Sequence, residues 1–142
     1  MAEETTGPIT QGVHHVGLTV PDVAATAAFF TGTLGMSEVG QRPDYPAIFV
    51  SDGKVMITLW QAEDPSAATP FDRRANIGLH HLALAVADRT ALGDLHARLG
   101  QMGDVEIEFA PEPVGSIPFD HMMCRVPGGI RMEFIAPNRA VR

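Results

Sequence analysis

The chain has 142 residues, 45% hydrophobic and 19% charged, with 17 acidic against 10 basic side chains for a net charge of -7. That length and balance fit one domain, or two very small modules sharing a core, and exclude both a large multidomain enzyme and a disordered chain. Lys54 is the single lysine and no basic cluster exceeds Arg73-Arg74, so the footprint of a nucleic-acid binder is missing and no nucleic-acid partner is expected.

The opening residues MAEETTGP carry acids and no apolar run, which predicts no secretory leader. Fifteen uncharged residues lie between Asp22 and Glu38, but threonines, glycines and a serine break them up. They fall short of the roughly twenty apolar residues a membrane helix needs, so no membrane partner is expected. A lone Cys124 cannot form an internal disulfide, which fits a reducing compartment. The expected location is cytoplasmic.

Residues 14–22 read HHVGLTVPD and residues 80–88 read HHLALAVAD, aligned without a gap at an offset of 66. The repeat predicts two copies of one structural unit. In the first copy Val16, Leu18 and Val20 alternate with His15, Gly17 and Thr19, the period of a strand with one aliphatic face. The other face carries one histidine followed by small residues, which leaves room for a concave space. His14 and His80 are expected on the aliphatic faces, at the strand starts.

A helix follows, capped by Asp22, with Val23, Ala27, Phe30 and Leu34 as its stripe and Gly35 as its stop. Strands are expected near 37–43, at Ala47–Ser51 and at Lys54–Gln61, with a turn at Asp52-Gly53. Residues 62–78 lack periodicity and read as a linker. The second copy repeats the order. Leu82, Leu84 and Val86 mark a strand, and Asp88 caps a helix with Leu92, Leu95 and Leu99 as its stripe. Further strands are expected at Val105–Phe109, His121–Val126 and Ile130–Ile135, with a Pro-rich loop after Phe109 and a turn at Pro127-Gly128-Gly129. The predicted fold class is α+β, two βαβββ modules at about 11–61 and 79–137 within a single domain, 1–142. Their strands are expected to form a cupped, mixed, mostly antiparallel sheet.

Strand parity then places side chains. Ile130, Met132 and Phe134 form the aliphatic row of the last strand, and Glu133 points the other way. A glutamate flanked by Met132 and Phe134 needs a partner for its charge. If the modules pair, His15, His81 and Glu133 converge from three strands. Two imidazoles and one carboxylate suit a divalent transition metal and leave coordination positions open.

The two strand-and-cap segments and the ending VPGGIRMEF together resemble the vicinal oxygen chelate superfamily, over roughly residues 11–137. That group includes glyoxalase I, methylmalonyl-CoA epimerase, extradiol dioxygenases, fosfomycin-resistance proteins and bleomycin-resistance proteins. The resemblance implies a glyoxalase-like domain, with His15, His81 and Glu133 at the family's ligand positions. The implied cofactor is one divalent ion (Fe2+, Mn2+, Ni2+, Co2+ or Zn2+), and the implied partner a small oxygen-bearing substrate that chelates it. The family builds such sites within one chain or across a homodimer, and a homodimer is expected here.

The fourth family ligand position falls on Thr58, too short to replace the Glu of glyoxalases or the Gln of epimerases. Three ligands resemble extradiol dioxygenases and fosfomycin-resistance enzymes. Both usually carry a tyrosine where this chain has Met123. His121, two residues earlier with the same parity, is the candidate acid/base group. The same parity reading puts Ile48, Val50, Met56 and Trp60 at the cavity. Thr58, Trp60, Met123, Arg125 and Arg131 are the candidate substrate-binding residues, the arginines suited to a carboxylate or phosphate. The best reading is an extradiol dioxygenase-like enzyme. The alternatives are a glyoxalase- or epimerase-like lyase or isomerase, and a metal-free bleomycin-resistance-like binding protein. Cys124 is expected to be a buried thiol.

Overall fold

A computed structural model describes residues 7–139. The chain divides into two compact units, one up to Ala62 and one from Glu63 onward. Each is a strand, a helix and three more strands.

The first unit holds β1 (His15–Val20), α1 (Val23–Ala28), β2 (Ser37–Arg42), β3 (Ala47–Ser51) and β4 (Met56–Gln61). Its sheet order is β1-β4-β3-β2, with β1 parallel to β4 and the other pairs antiparallel. The second unit holds β5 (Leu82–Ala85), α2 (Arg89–Leu99), β6 (Glu106–Pro113), β7 (Phe119–Arg125) and β8 (Arg131–Pro137). Its sheet order is β5-β8-β7-β6, again with only the β5–β8 pair parallel. The repeated sequence therefore builds the same mixed four-stranded sheet twice.

Both helices start as their caps dictate. Asp22 Oδ1 accepts the Ala25 amide at 3.0 Å and Asp88 Oδ1 accepts the Ala91 amide at 2.8 Å, each satisfying an otherwise unpaired donor. The first helix widens into a π-helical turn at Phe29–Thr33, closed by the Leu34 amide on the Phe29 carbonyl at 3.2 Å. The consecutive phenyl rings of Phe29 and Phe30 are both buried there, packed edge-to-face at 5.6 Å. Gly35, at φ +76°, turns the chain out of it.

The cores follow the aliphatic rows. Leu18, Val20, Ile57, Leu59, Val50 and Phe30 are buried in the first unit, and Leu92, Leu99, Met122, Cys124, Met132 and Phe134 in the second.

Three expectations are corrected. First, β6 runs through the supposed Pro-rich loop to Pro113. It is an edge strand with two register shifts, so Pro111 and Pro113 cost it few ladder hydrogen bonds. Second, Ile48 and Val50 do not share a face with Met56 and Trp60. The Asp52–Val55 connection pairs Ser51 with Met56, so Ile48 lies opposite Leu59 and Val50 opposite Ile57, on the buried aliphatic face. Phe49 takes the other face, opposite Thr58. A slip of one residue reverses every side chain on a strand. Third, His14 and His80 precede their strands and are exposed, each against the next imidazole rather than on the aliphatic face.

The segment after Ala62 has no helix or strand until β5, but it is ordered by local turns. Asp64 Oδ1 accepts the Ser66 amide, and Asp72 Oδ1 accepts the amides of Arg74 and Ala75. Arg73 then bonds Glu108 on β6 at 3.2 Å.

Candidate functional site

In the first unit, His15, Gly17 and Thr19 line one face of β1, and Met56, Thr58 and Trp60 continue that face on β4. His15 is exposed, with its Nδ1 2.9 Å from His14 Nδ1. Thr58 is 4% exposed, and its hydroxyl makes two hydrogen bonds. Oγ1 accepts the Trp60 indole N–H at 2.9 Å and donates to the Val16 carbonyl at 3.4 Å. The indole is fixed further by Tyr45, edge-on at 5.0 Å, and by Phe49 at 5.8 Å. Gly17 lets this layer close: a β-carbon there would stand 3.2 Å from Thr58 Oγ1.

In the second unit, the face away from the aliphatic core carries Ala83 on β5, Glu133 and Arg131 on β8, and His121, Met123 and Arg125 on β7. Ala83 lies opposite Glu133 as Gly17 lies opposite Thr58. The 66-residue offset carries Gly17 onto Ala83, so Thr58 and Glu133 hold the same place in their respective modules.

Glu133 is the centre of the second face. Its side chain is 12% exposed and an imidazole engages each oxygen. His81 Nε2 lies 3.1 Å from Oε1, and His121 Nδ1 lies 2.5 Å from Oε2. A carboxylate only accepts, so His121 Nδ1 is the donor in this contact. Phe109 packs on the His121 ring at 5.0 Å, and buried Met123 sits between Phe109 and Glu133 in the strand register. Glu133 pairs with neither Arg125 nor Arg131.

Arg131 has another partner. Its Nη2 and Nε donate to the two oxygens of Glu108 at 2.6 and 3.2 Å, its Nη1 lies 3.4 Å from His80 Nδ1, and Arg73 joins from the other side. The Arg131 hydrogen bonds and the surrounding guanidinium charge hold the Glu108 carboxyl below the usual carboxylate range. Partial desolvation, then the positive charge of Arg131, holds His80 below the usual imidazole value. Arg125 is exposed, opposite Arg131 on one side and Glu106 on the other. A groove of about 200 Å³ runs between Phe71, Asp72 and Arg73 and the side chains of Glu108, Arg125 and Arg131.

Glu108, Arg73, Phe49 and Phe109 escaped the sequence reading. The alternation of Glu106, Ile107 and Glu108 carried a signal for Glu108, whereas Phe49 depended on hairpin register. Among the described residues no group of three or more His, Cys, Asp or Glu side chains is arranged to hold a metal ion. Two donors do fit one. His81 Nε2 and Glu133 Oε1, 3.1 Å apart, are an imidazole nitrogen and a carboxylate oxygen, donor types that suit a divalent transition metal.

The model of the Glyoxalase/Bleomycin resistance protein/Dioxygenase superfamily matches residues 12–134. Similar solved structures include the glyoxylase/bleomycin resistance protein/dioxygenase domain from Frankia sp. EAN1pec, 26% identical, TM-score 0.76, covering 91% of this chain and 99% of that one. A putative glyoxalase from Bacillus halodurans is 28% identical, TM-score 0.72, over 88% of this chain and 95% of that one. Lactoylglutathione lyase from Agrobacterium tumefaciens, 19% identical with a TM-score of 0.69 over 91% and 96% of the two chains, shares the fold. No curated protein matches the sequence. No helix among the described residues is long and apolar enough to cross a membrane. By the match over residues 12–134, the chain belongs to the Glyoxalase/Bleomycin resistance protein/Dioxygenase superfamily.

Proposed function

We propose that this protein is a metal-dependent enzyme acting on a small substrate that offers two neighbouring oxygens, with extradiol dioxygenase-like ring cleavage as its reaction. The observation that carries this reading is Glu133, a largely buried carboxylate with an imidazole nitrogen 3.1 Å from one oxygen and a second imidazole on the other. His81 and Glu133 are two of the proposed ligands. His15 is the third, assigned on the family resemblance, from the first module of this chain or of a second copy in a homodimer.

The bound ion (Fe2+, Mn2+, Ni2+, Co2+ or Zn2+) would supply Lewis acidity and, if iron, redox chemistry with dioxygen. The chain's own residues supply the rest. His121, fixed by Glu133 through Nδ1, presents Nε2 as a proton carrier. Met123 and Phe109 exclude water beside it. Arg125, with Arg131 behind it, offers a guanidinium to an anionic part of the substrate. Thr58 and Trp60 form a substrate wall rather than a ligand.

A lyase or isomerase is the second reading, and one observation favours it: His121 Nε2 is a single candidate base, enough for a one-base proton transfer. Thr58 stands where a second carboxylate would be needed for a two-carboxylate site.

The test is metal analysis of the purified protein, followed by aerobic incubation of the iron-loaded form with simple catechols. Stoichiometric iron and oxygen-dependent ring opening are expected. Bound metal without oxygen uptake would move the assignment to the lyase or isomerase. Failure of every divalent ion to bind would leave the metal-free binding protein.

A further inference from the structure

The histidine doublets His14-His15 and His80-His81 repeat a geometry that the proposed ligand set leaves unexplained. In each, Nδ1 faces Nδ1, at 2.9 and 2.8 Å, with rings nearly perpendicular at centroid distances of 5.2 and 5.1 Å. Two ring nitrogens at that distance need one proton between them, so one of each pair donates and the other accepts.

At the second doublet the direction can be worked out. A guanidinium only donates, and Arg131 Nη1 lies 3.4 Å from the same His80 Nδ1. Glu108 holds that guanidinium in place through Nε and Nη2. A proton on His80 Nδ1 would face the Arg131 N–H, so His80 Nδ1 is the acceptor and His81 Nδ1 the donor. The remaining nitrogen of His81, Nε2, then faces Glu133 Oε1 at 3.1 Å. Nε2 is thus the nitrogen of His81 that would meet a cation held beside Glu133.

We infer that His80 is a positioning residue that keeps the proton of His81 on Nδ1 and so leaves Nε2 free to bind a cation beside Glu133. The chain of contacts runs from Glu108 through Arg131 and His80 to His81. It explains why an exposed histidine sits beside the proposed ligand, and why Arg131 is committed to Glu108 rather than free for substrate. Partners of this kind, which orient a liganding imidazole through its other nitrogen, typically contribute 10–100-fold to metal affinity.

This inference rests on the proposal that His81 and Glu133 are ligands, and the experiment separates the two. Binding of Co2+ alone is measured for the parent, His81→Ala, Glu133→Ala, His80→Phe and His80→Asn, with melting of each metal-free protein alongside. Phenylalanine keeps the ring without an acceptor, and asparagine restores an acceptor oxygen. His80→Phe should bind Co2+ about tenfold or more weakly than the parent. His80→Asn should recover to within a few-fold, and metal-free melting should hardly change because His80 is exposed. In the Zn2+-loaded parent, nitrogen NMR should show His81 protonated on Nδ1 and His80 unprotonated there. If His81→Ala and Glu133→Ala bind as well as the parent, the metal reading fails and this inference with it. If they lose Co2+ while His80→Phe keeps parental affinity, or if His80→Asn is as weak as His80→Phe, only the role of His80 is overturned. A protonated His80 Nδ1 in the loaded protein would overturn it as well.

Discussion

Thr58 holds Trp60: the threonine hydroxyl accepts the indole N–H at 2.9 Å, and both side chains lie on one face of β4. The hydroxyl also bonds the Val16 carbonyl, so this buried residue is a support for the aromatic wall formed by Trp60, Tyr45 and Phe49. Thr58→Val keeps the shape and removes the acceptor. It should destabilise the protein by about 1–2 kcal/mol, the typical penalty for leaving a largely buried donor unpaired. Divalent metal affinity should be unchanged. Thermal melts and Co2+ titrations of the variant check both, and weakened metal binding would make Thr58 a ligand after all.

Asp120 ties the start of α2 to β7. Only 6% exposed, it accepts Arg89 Nε at 2.9 Å and Asn138 Nδ2 at 3.0 Å. Asp120→Ala removes the acceptor shared by the helix and by the segment after β8. A loss of about 2 kcal/mol is expected, in the range for hydrogen bonds to a charged group. Arg89→Ala should cost less, because Asn138 still satisfies the carboxylate and Arg89 is itself well exposed. Urea unfolding of the two variants gives the comparison.

Cys124 is fully buried on the aliphatic face of β7, and burial pushes its thiol up to about 12. The thiolate is the reactive form, so the native protein should label very slowly with iodoacetamide at pH 8. Labelling should become fast in denaturant. Rapid modification of the folded protein would show that β7 opens readily.

Glu108 gives a pH dependence with a definite sign. Its folded carboxyl is held below its unfolded value by Arg131 first and then by the neighbouring charges. A depressed carboxyl stabilises the protein fully above the unfolded value, about 4.3, and that contribution disappears as pH falls through the folded one. Glu108→Gln should therefore melt at a lower temperature than the parent at pH 6 and show a shallower decline below about pH 4. The side chain is about a third exposed, so added salt should narrow the difference. Melting curves across pH 3–6 at two ionic strengths test this.

The sequence alone determined the repeated unit, the helix caps and the aliphatic rows. These are local properties: an aspartate before a helix, a period of two along a strand, a doublet copied at an offset of 66 residues. The same periodicity marked Glu133 as a charged residue in a core strand and put His121 and Met123 on its face, where the β7–β8 register finds them. Tertiary structure decided what depends on register between strands. The Ser51–Met56 pairing exchanged Phe49 for Ile48 and Val50 beside Trp60, because one residue of slip turns a strand over. It also decided which partner each charge took. Sequence distance offers no guide to Arg131 choosing Glu108, 23 residues away, or to His121 choosing Glu133. Such choices follow from the few ångströms that separate side chains once a sheet has formed, and those distances exist only in the folded chain.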